Sequence, residues 1–451
     1  MGIDVLFTNA PLTLSKAAPA APAILIAMLE KYGYTGHFYD FNIEVNDDPK
    51  VNDFAIKNSI DDFDYIDSIL KTHATRMLEF NPRYVGISIF TYNCLNFAKA
   101  LCVYIRTLAP SVKIILGGQG LGVGGISGNS IGSELEELNL CDYWVKSEGE
   151  YPIIDILKGT YKNTDKWTQA ENLDEFPYPN YDSYNWEKYR KLIPITGSRG
   201  CVRRCTFCDI HTHWKKFVWR DGIKLAEEMS YQSKKYNIQT FDFTDSLVNG
   251  SMKSYKDFVN TLSEYNSKRK EKLKWHGQFI MRPQRQMTER LWELTAASGG
   301  ERLYLGIESL SESVRNHMRK KFSNNDIKFS LEAMKKYGIK CSFLMIIGYI
   351  TDTDETIQET LDAFTELAPY ADVIDHVSMG TTLGILPGTP LEKMSEDEGV
   401  ILGSTENNWT GPSTIDQRID WFNTVANHCK SLGYNVTKED ELSTLINITG
   451  L

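Results

Sequence analysis

Long apolar runs are missing from this 451-residue chain. The longest, residues 342–350 (SFLMIIGYI), falls far short of the ~20 residues that span a bilayer. A membrane-spanning helix is therefore excluded. No basic n-region precedes the opening MGIDVLF, which reads as a first β-strand rather than a signal peptide. Leu6 stands where an N-myristoylation signal wants serine or threonine. A basic surplus is lacking too: 49 Lys and Arg against 59 Asp and Glu give a net charge of −10. That disfavours a nucleic-acid surface, which carries a basic stripe. Repeats at solenoid periods and low-complexity tracts are also absent. With no secretory signal the chain is expected in a reducing cytoplasm, where its eight cysteines would not form disulfides. Clustered cysteines in that setting mean metal or catalysis.

What is present is ordinary globular material. The chain is 42% hydrophobic and 24% charged, and its length suits two or three domains at ~150 residues each. Up to residue 162, short apolar runs alternate with helix-length segments. IDVLFTNAP, GHFYDFNI, YVGISIF, VKIILGGQG and DYWVKSEGE read as strands; AAPAILIAMLEKYGY and CLNFAKALCVYIRTLAP read as helices. Buried Val- and Ile-rich strands alternating with helices predict a doubly wound parallel sheet. Ligands of such sheets bind at the strand C-terminal ends, here residues 9–12, 88–93, 117–125 and 147–150. Residues 163–191 (with DEFPYPNYDSYNW) are polar, aromatic and proline-punctuated, and read as a linker that packs.

From 192 to 390 the alternation resumes. ITGS, TFDFTDS, KWHGQFI, RLYLGIES, KCSFLMIIG and VIDHVSMG give six strands. The helices expected between them run over 222–236 and near 253–265, 288–297, 326–337 and 354–367. Six units predict a partial (β/α)6 barrel of TIM type, with its site at the strand C-terminal ends. Residues 391–451 are expected to form a small helical appendage.

Cys94, Cys102, Cys141, Cys341 and Cys429 are scattered and read as small core residues. Cys201, Cys205 and Cys208 are not: GCVRRCTFC spaces them C-x3-C-x2-C directly after a strand. Three thiolates on one loop can ligate three irons of a [4Fe–4S] cubane and leave the fourth iron open for chemistry. Spacing alone also allows a zinc site completed by His211 or His213 in CDIHTH. Trp214, Phe217 and Trp219 suit stacking on a flat substrate or packing the loop onto the barrel.

This loop, with Phe207 before the last cysteine and a partial barrel behind it, resembles the radical S-adenosylmethionine (SAM) superfamily. The resemblance implies that SAM is chelated by the open iron and cleaved to a 5′-deoxyadenosyl radical, with a low-potential electron donor as partner. It also implies SAM contacts from Thr244, Asp245 and Ser246 at the second strand end, where the family commonly has Gly-Gly-Glu. Glu308 and Ser309 would meet the SAM ribose or carboxylate, and residues 346–348, with Ile346 and Gly348, the adenine. Arg282 suits a carboxylate in the cavity. Asp354 and Glu355 read instead as a helix start.

The N-terminal segment is similar to the cobalamin-binding domain often fused ahead of such barrels. On that resemblance Gly117, Gly118, Gly120 and Gly122 would admit the cofactor's nucleotide tail, because glycine has no Cβ to obstruct it, and Ser88 and Thr91 would hydrogen-bond it. The lower axial motif D-x-H-x-x-G does not occur between residues 1 and 159; His37 is the nearest substitute or a histidine at a strand edge. The expected activity is cobalamin-dependent methyl transfer to an unactivated carbon of a small molecule or peptide. A radical rearrangement or cyclisation without methyl transfer is the alternative.

Overall fold

Ile3–Asn9 (β1) opens the chain as a strand whose central residues are fully covered. Gly36–Phe38 (β2), Pro82–Ser88 (β3), Lys113–Gly117 (β4) and Tyr143–Val145 (β5) complete a sheet in the order β2-β1-β3-β4-β5, parallel throughout. This is the doubly wound arrangement expected, and its order reverses between β1 and β3. Asn9, Ser88 and Gly117 stand in register across that edge. The computed structural model describes residues 2–11, 16–57, 63–122, 130–164, 166–380, 383–403 and 406–437. Residue 12, residues 123–125 and the tail from 438 therefore lie outside the described residues.

The GHFYDFNI segment is shorter as a strand than its pattern suggests. Asp40 accepts from the Ile43 N–H and starts a helical turn at Phe41–Val45, because a capping carboxylate offers the backbone a better partner than a sheet edge. Helices Pro49–Lys57 and Phe63–Leu78 then precede β3. The aromatic stretch packs as expected. The Tyr184 hydroxyl donates to the Pro19 carbonyl at 2.8 Å and that of Tyr189 to Asp40 at 2.7 Å. Tyr181 and Tyr184 meet edge-on at 5.0 Å. This first compact unit reaches Glu171 and takes in Glu175–Lys191; the second takes Asn172–Asp174 and continues from Leu192.

In the second unit Ile193–Ile195 (β6) begins a parallel sheet. Ser198–Arg199 (β7) and Val218–Trp219 (β8) form a small antiparallel pair flanking the cysteine loop. Thr240–Phe243 (β9), Lys274–Phe279 (β10), Gly300–Glu308 (β11), Lys340–Met345 (β12) and Ile374–Ser378 (β13) continue the sheet. Ile401–Leu402 (β14) and Trp409–Thr410 (β15) pair with each other, and Val436–Thr437 (β16) joins β13 in parallel. The sheet order β16-β13-β12-β11-β10-β9-β6 contains the six expected strands and one more. The segment after 390 is thus more than a helical appendage. Its helix Ile415–Ser431 returns the chain so that β16 extends the sheet.

Each long helix of the second unit begins at a side chain that accepts from its free N–H groups. Asp221 caps Gly222–Tyr236, Ser251 caps Met252–Ser267 and Thr288 caps Glu289–Ala297. Ser323 and Thr353 form capping boxes ahead of Asn324–Tyr337 and Asp354–Leu367. These caps fix where each strand end stops and its loop turns, and so where the site residues point. No helix among the described residues is long and apolar enough to cross a membrane.

Candidate cluster and cofactor sites

The cysteine loop follows β6 and β7 and is pinned by Thr206, which is fully buried. The Thr206 N–H donates to the Met318 carbonyl, its carbonyl accepts from the Leu391 N–H at 2.8 Å, and its hydroxyl lies 2.7 Å from that of Tyr349. Either side stand Cys205, 8% exposed, and Phe207. Phe207 and Ile346 pack against the same apolar cluster, built around Met318, Tyr349 and Trp409. Two expected site residues are thereby brought together.

Burial raises the thiol pKa of Cys201, Cys205 and Cys208, the last to about 12; Cys201 feels charge on Cys205, and Cys208 feels charge on both of the others. Such thiols resist ionising unless a cation stabilises the thiolate, which is what iron ligation provides. The set fits a cluster held by three protein sulfurs. The other cysteines are buried elsewhere; Cys341, for example, lies within β12. Of the two histidines that a zinc site could draw on, His211 has one ring nitrogen engaged and its Nδ1 buried without a hydrogen-bond partner. His211 Nε2 lies 2.5 Å from the Arg203 carbonyl, and His213 pairs with Asp209 at 3.8 Å. Among the described residues no three His, Cys, Asp or Glu side chains are gathered to hold a single metal ion. Phe217 and Trp219 stack on each other at 5.5 Å.

Burial and hydrogen bonds place the remaining expected residues. On β9 and its extension Phe241, Phe243, Asp245 and Leu247 are buried, whereas Thr244 and Ser246 are exposed. Asp245 accepts through its two oxygens from the Gly197 N–H at 2.7 Å and the Ser198 hydroxyl at 2.6 Å, and burial pushes it up to about 7. It ties the start of the cysteine loop to the second strand end. Thr244 stays at the open strand end, 2.7 Å from the Thr196 hydroxyl.

On β11 and just past it Leu303, Leu305, Ile307 and Ser309 are buried, and the Ser309 hydroxyl accepts from the Ser311 N–H. Glu308 accepts from Lys320 Nζ at 2.8 Å, a cation missed in the sequence. Arg282 donates to the Asn249 and Gly250 carbonyls at 2.8 and 2.7 Å and to Gln286. It braces the loop after β9 instead of waiting for a carboxylate. The N–H groups of Gly348 and Tyr349 both donate to Asp352, which fixes the turn after β12.

In the first unit Ser88, Thr91, Gly117, Gly118 and Gly120 collect at the C-terminal edge. Gly118 has φ +103°, and a Cβ there would meet the Ile89 carbonyl oxygen at 2.4 Å; one at Gly120 would come within 2.9 Å of it. These glycines let the loops after β3 and β4 lie backbone against backbone. The Ile89 N–H bonds the Gly117 carbonyl, and the Gly120 N–H bonds the Ile89 carbonyl. Gly117 differs, since a Cβ there would meet only the Val145 oxygen at 3.9 Å. The Thr91 hydroxyl lies 3.5 Å from the Cys94 sulfur. His37, on the edge strand β2, stacks on Phe80 at 4.4 Å. An open groove of about 660 Å³ near Asp4, Arg83 and Lys113 lies at the opposite, N-terminal edge of this sheet.

A parallel partial barrel with a three-cysteine loop after its first strand, accompanied by a doubly wound unit, is the layout of a radical-initiating enzyme. Residues 195–364 match the Radical SAM superfamily, and the chain carries a radical SAM domain. It is similar to an uncharacterised methyltransferase of Pyrococcus horikoshii, 24% identical over 75% of this chain and 74% of that protein. It is also 25% identical to the cytidylyl-2-hydroxyethylphosphonate methyltransferase of Streptomyces wedmorensis, over 67% of this chain and 63% of the relative. Its fold is that of the radical SAM methyltransferase TsrM from Kitasatospora setae, solved with cobalamin and a [4Fe-4S] cluster. The match has a TM-score of 0.68 at 16% identity and covers 99% of this chain and 95% of that one. The cobalamin-dependent radical SAM enzyme OxsB, with aqua-cobalamin bound, gives 0.69 at 16% identity over 92% of this chain and 65% of its own.

Proposed function

We propose that this chain is a cobalamin-dependent radical SAM methyltransferase acting on an unactivated carbon of a small-molecule substrate. The observation that carries the reading is the loop that brings Cys201, Cys205 and Cys208 together in sequence, Cys205 buried and the other two half-buried, and that is pinned through Thr206. The methyltransferase relatives and the cobalamin-bound fold neighbours support the second cofactor and the reaction class.

When bound, the cluster supplies an electron to SAM and cobalamin supplies a methyl carrier, so the hard chemistry belongs to the cofactors. The protein holds and orients them. Cys201, Cys205 and Cys208 take three irons. Thr244 and Ser246, exposed at the end of β9, offer hydroxyls to the SAM amino acid moiety, and Ile346 offers an apolar wall beside Phe207. In the first unit Ser88, Thr91 and the unobstructed Gly117 offer the cobalamin tail a polar ledge at the switch of strand order. No D-x-H-x-x-G histidine is present before residue 159 to ligate cobalt from below. A low-potential donor would deliver the electron.

The test is anaerobic reconstitution with iron, sulfide and hydroxocobalamin. About four irons per chain, cobalt retained through gel filtration and methyl transfer to substrate are expected. Protein that loads iron and forms 5′-deoxyadenosine but sheds cobalt would replace methyl transfer with the rearrangement reading.

A further inference from the structure

Lys320 has a place in the cysteine site that no motif announced. The chain leaves the helix Glu312–His317 through Arg319, which takes a left-handed φ of +61°, and the Lys320 N–H returns to the Arg315 carbonyl. Its side chain, 11% exposed, donates to Glu308 Oε1 at 2.8 Å and to the Gly306 carbonyl at 2.9 Å. The ammonium also lies 5.5 Å from the centre of the Phe207 ring, next in sequence to Cys208. The strand is shaped around this ion pair. Glu308 adopts φ +66°, a conformation non-glycine residues rarely take, where the pairing of β11 with β12 slips by one residue. A Cβ on Gly306 would come within 2.7 Å of the Glu308 carboxylate and 3.1 Å of Lys320 Nζ, so any other residue there would displace the pair from this arrangement.

Glu308 and the bare Gly306 hold one ammonium over the ring of Phe207, which stands between Cys205 and Cys208 in the loop. Its charge acts on the thiols: it favours the thiolates of Cys201 and Cys205 and is itself favoured by those of Cys205 and Cys208. Arg203 and Arg282 add positive charge near Cys201, while Asp209 and Glu308 oppose it at Cys208 and Cys205. Two of the three ammonium protons are committed to Glu308 and Gly306. Its influence on the sulfur side is therefore the field of a buried, little-screened cation.

We propose that Lys320, metered by Glu308, is a positioning residue that sets the reduction potential of the cluster held by Cys201, Cys205 and Cys208. This rests on the reading of those cysteines as cluster ligands. Reduction from the 2+ to the 1+ core takes one electron from a low-potential donor and adds one negative charge beside the ammonium. Coulomb's law favours the product and raises the potential. Neutralising Lys320 lowers it, and neutralising Glu308, which leaves the ammonium uncompensated, raises it.

The experiment is a redox titration with titanium(III) citrate, followed by the electron paramagnetic resonance of the reduced cluster without SAM, on reconstituted wild type, Lys320→Met and Glu308→Gln. Iron and sulfide contents check assembly. The expected result is a more negative midpoint for K320M and a more positive one for E308Q. Equal midpoints in all three overturn the proposal, as do shifts of the same sign in both variants. So does a K320M midpoint that stays put while SAM affinity falls, since that makes Lys320 a substrate ligand. Should K320M fail to assemble, the sign of the E308Q shift decides. A wild type that takes up no iron refutes the reading of the cysteines instead.

Discussion

The hydroxyls of Thr206 and Tyr349 lie 2.7 Å apart with both residues fully buried, 143 positions apart in sequence. Tyr349 also meets His317 Nδ1 at 3.0 Å, and His317 Nε2 meets Glu398 at 3.1 Å. The centre of the cysteine loop is thus tied to the turn after β12, to the helix after β11 and to the segment beyond residue 390. Tyr349→Phe leaves the Thr206 hydroxyl buried without that partner, at a cost of roughly 1–3 kcal/mol. A lower thermal midpoint and faster iron loss to a chelator are expected. An unchanged rate of iron loss would show that the tie does not hold the loop.

Much of this site was legible in the sequence. The cysteine spacing, the six strands and the helix starts at Asp221, Ser251, Thr288 and Thr353 follow from local chemistry. The burial of Asp245 and Ser309 was not legible, because both lie just past a strand end, where alternation stops, and Ser309 follows the left-handed Glu308. Lys320 and β16 were out of reach. Lys320 acts through a left-handed turn at Arg319, and β16 is two residues long, too short for any alternation to show. The helix Phe63–Leu78 was passed over because charged residues dilute its apolar stripe.

Asp245→Ala tests the tie that this carboxyl makes. It orphans the buried Gly197 N–H and leaves the Ser198 hydroxyl only the Leu247 carbonyl at 3.2 Å, at the root of the cysteine loop, costing roughly 1–3 kcal/mol. Because the loop springs from this point, iron loading should fall together with the urea midpoint. A variant with full stability but poor SAM binding would assign Asp245 to the cofactor instead.

The cysteines separate by a paired substitution. Cys205→Ala should abolish iron loading and SAM cleavage while the far-ultraviolet circular dichroism stays as in wild type. Cys341→Ala, within β12, removes one fully buried sulfur and should cost on the order of 1 kcal/mol with iron content unchanged. Equal iron loss in both would mean that the effect is general unfolding.

Asp242 gives the barrel a pH signature. It stands on β9 in register with Pro194 and with His276, which itself bonds Glu301. Its Oδ1 is buried with no hydrogen-bond partner, and burial pushes its pKa up to about 6. A carboxyl raised in the folded state binds its proton more tightly there than in the unfolded chain. Stability from this group is therefore present at low pH and is lost as pH rises from about 4 through about 6. Asp242→Asn cannot ionise. Its urea midpoint should match wild type near pH 4 and exceed it above pH 7, by on the order of 2 kcal/mol. Asp245 and Asp352, raised in the same direction, are present in both proteins and cancel in the difference. A gap that is the same at both pH values would remove Asp242 as its cause.

Gly117 and Gly118 are adjacent yet make opposite predictions. Gly118 carries the positive φ and faces the Ile89 backbone, so Gly118→Ala forces strain and overlap together. It should lower stability by roughly 1–3 kcal/mol whether or not any ligand binds. Gly117 has ordinary space on the protein side, so Gly117→Ala should fold within about 0.5 kcal/mol of wild type. If the open side of Gly117 is where the cobalamin tail lies, a methyl group there obstructs it. Cobalt retention through gel filtration should then drop in G117A with the melting midpoint of the cofactor-free protein unmoved. Full retention in G117A would mean that the glycines at this edge serve only the approach of the two loops, and would move the tail to Ser88 and Thr91 or away from this edge.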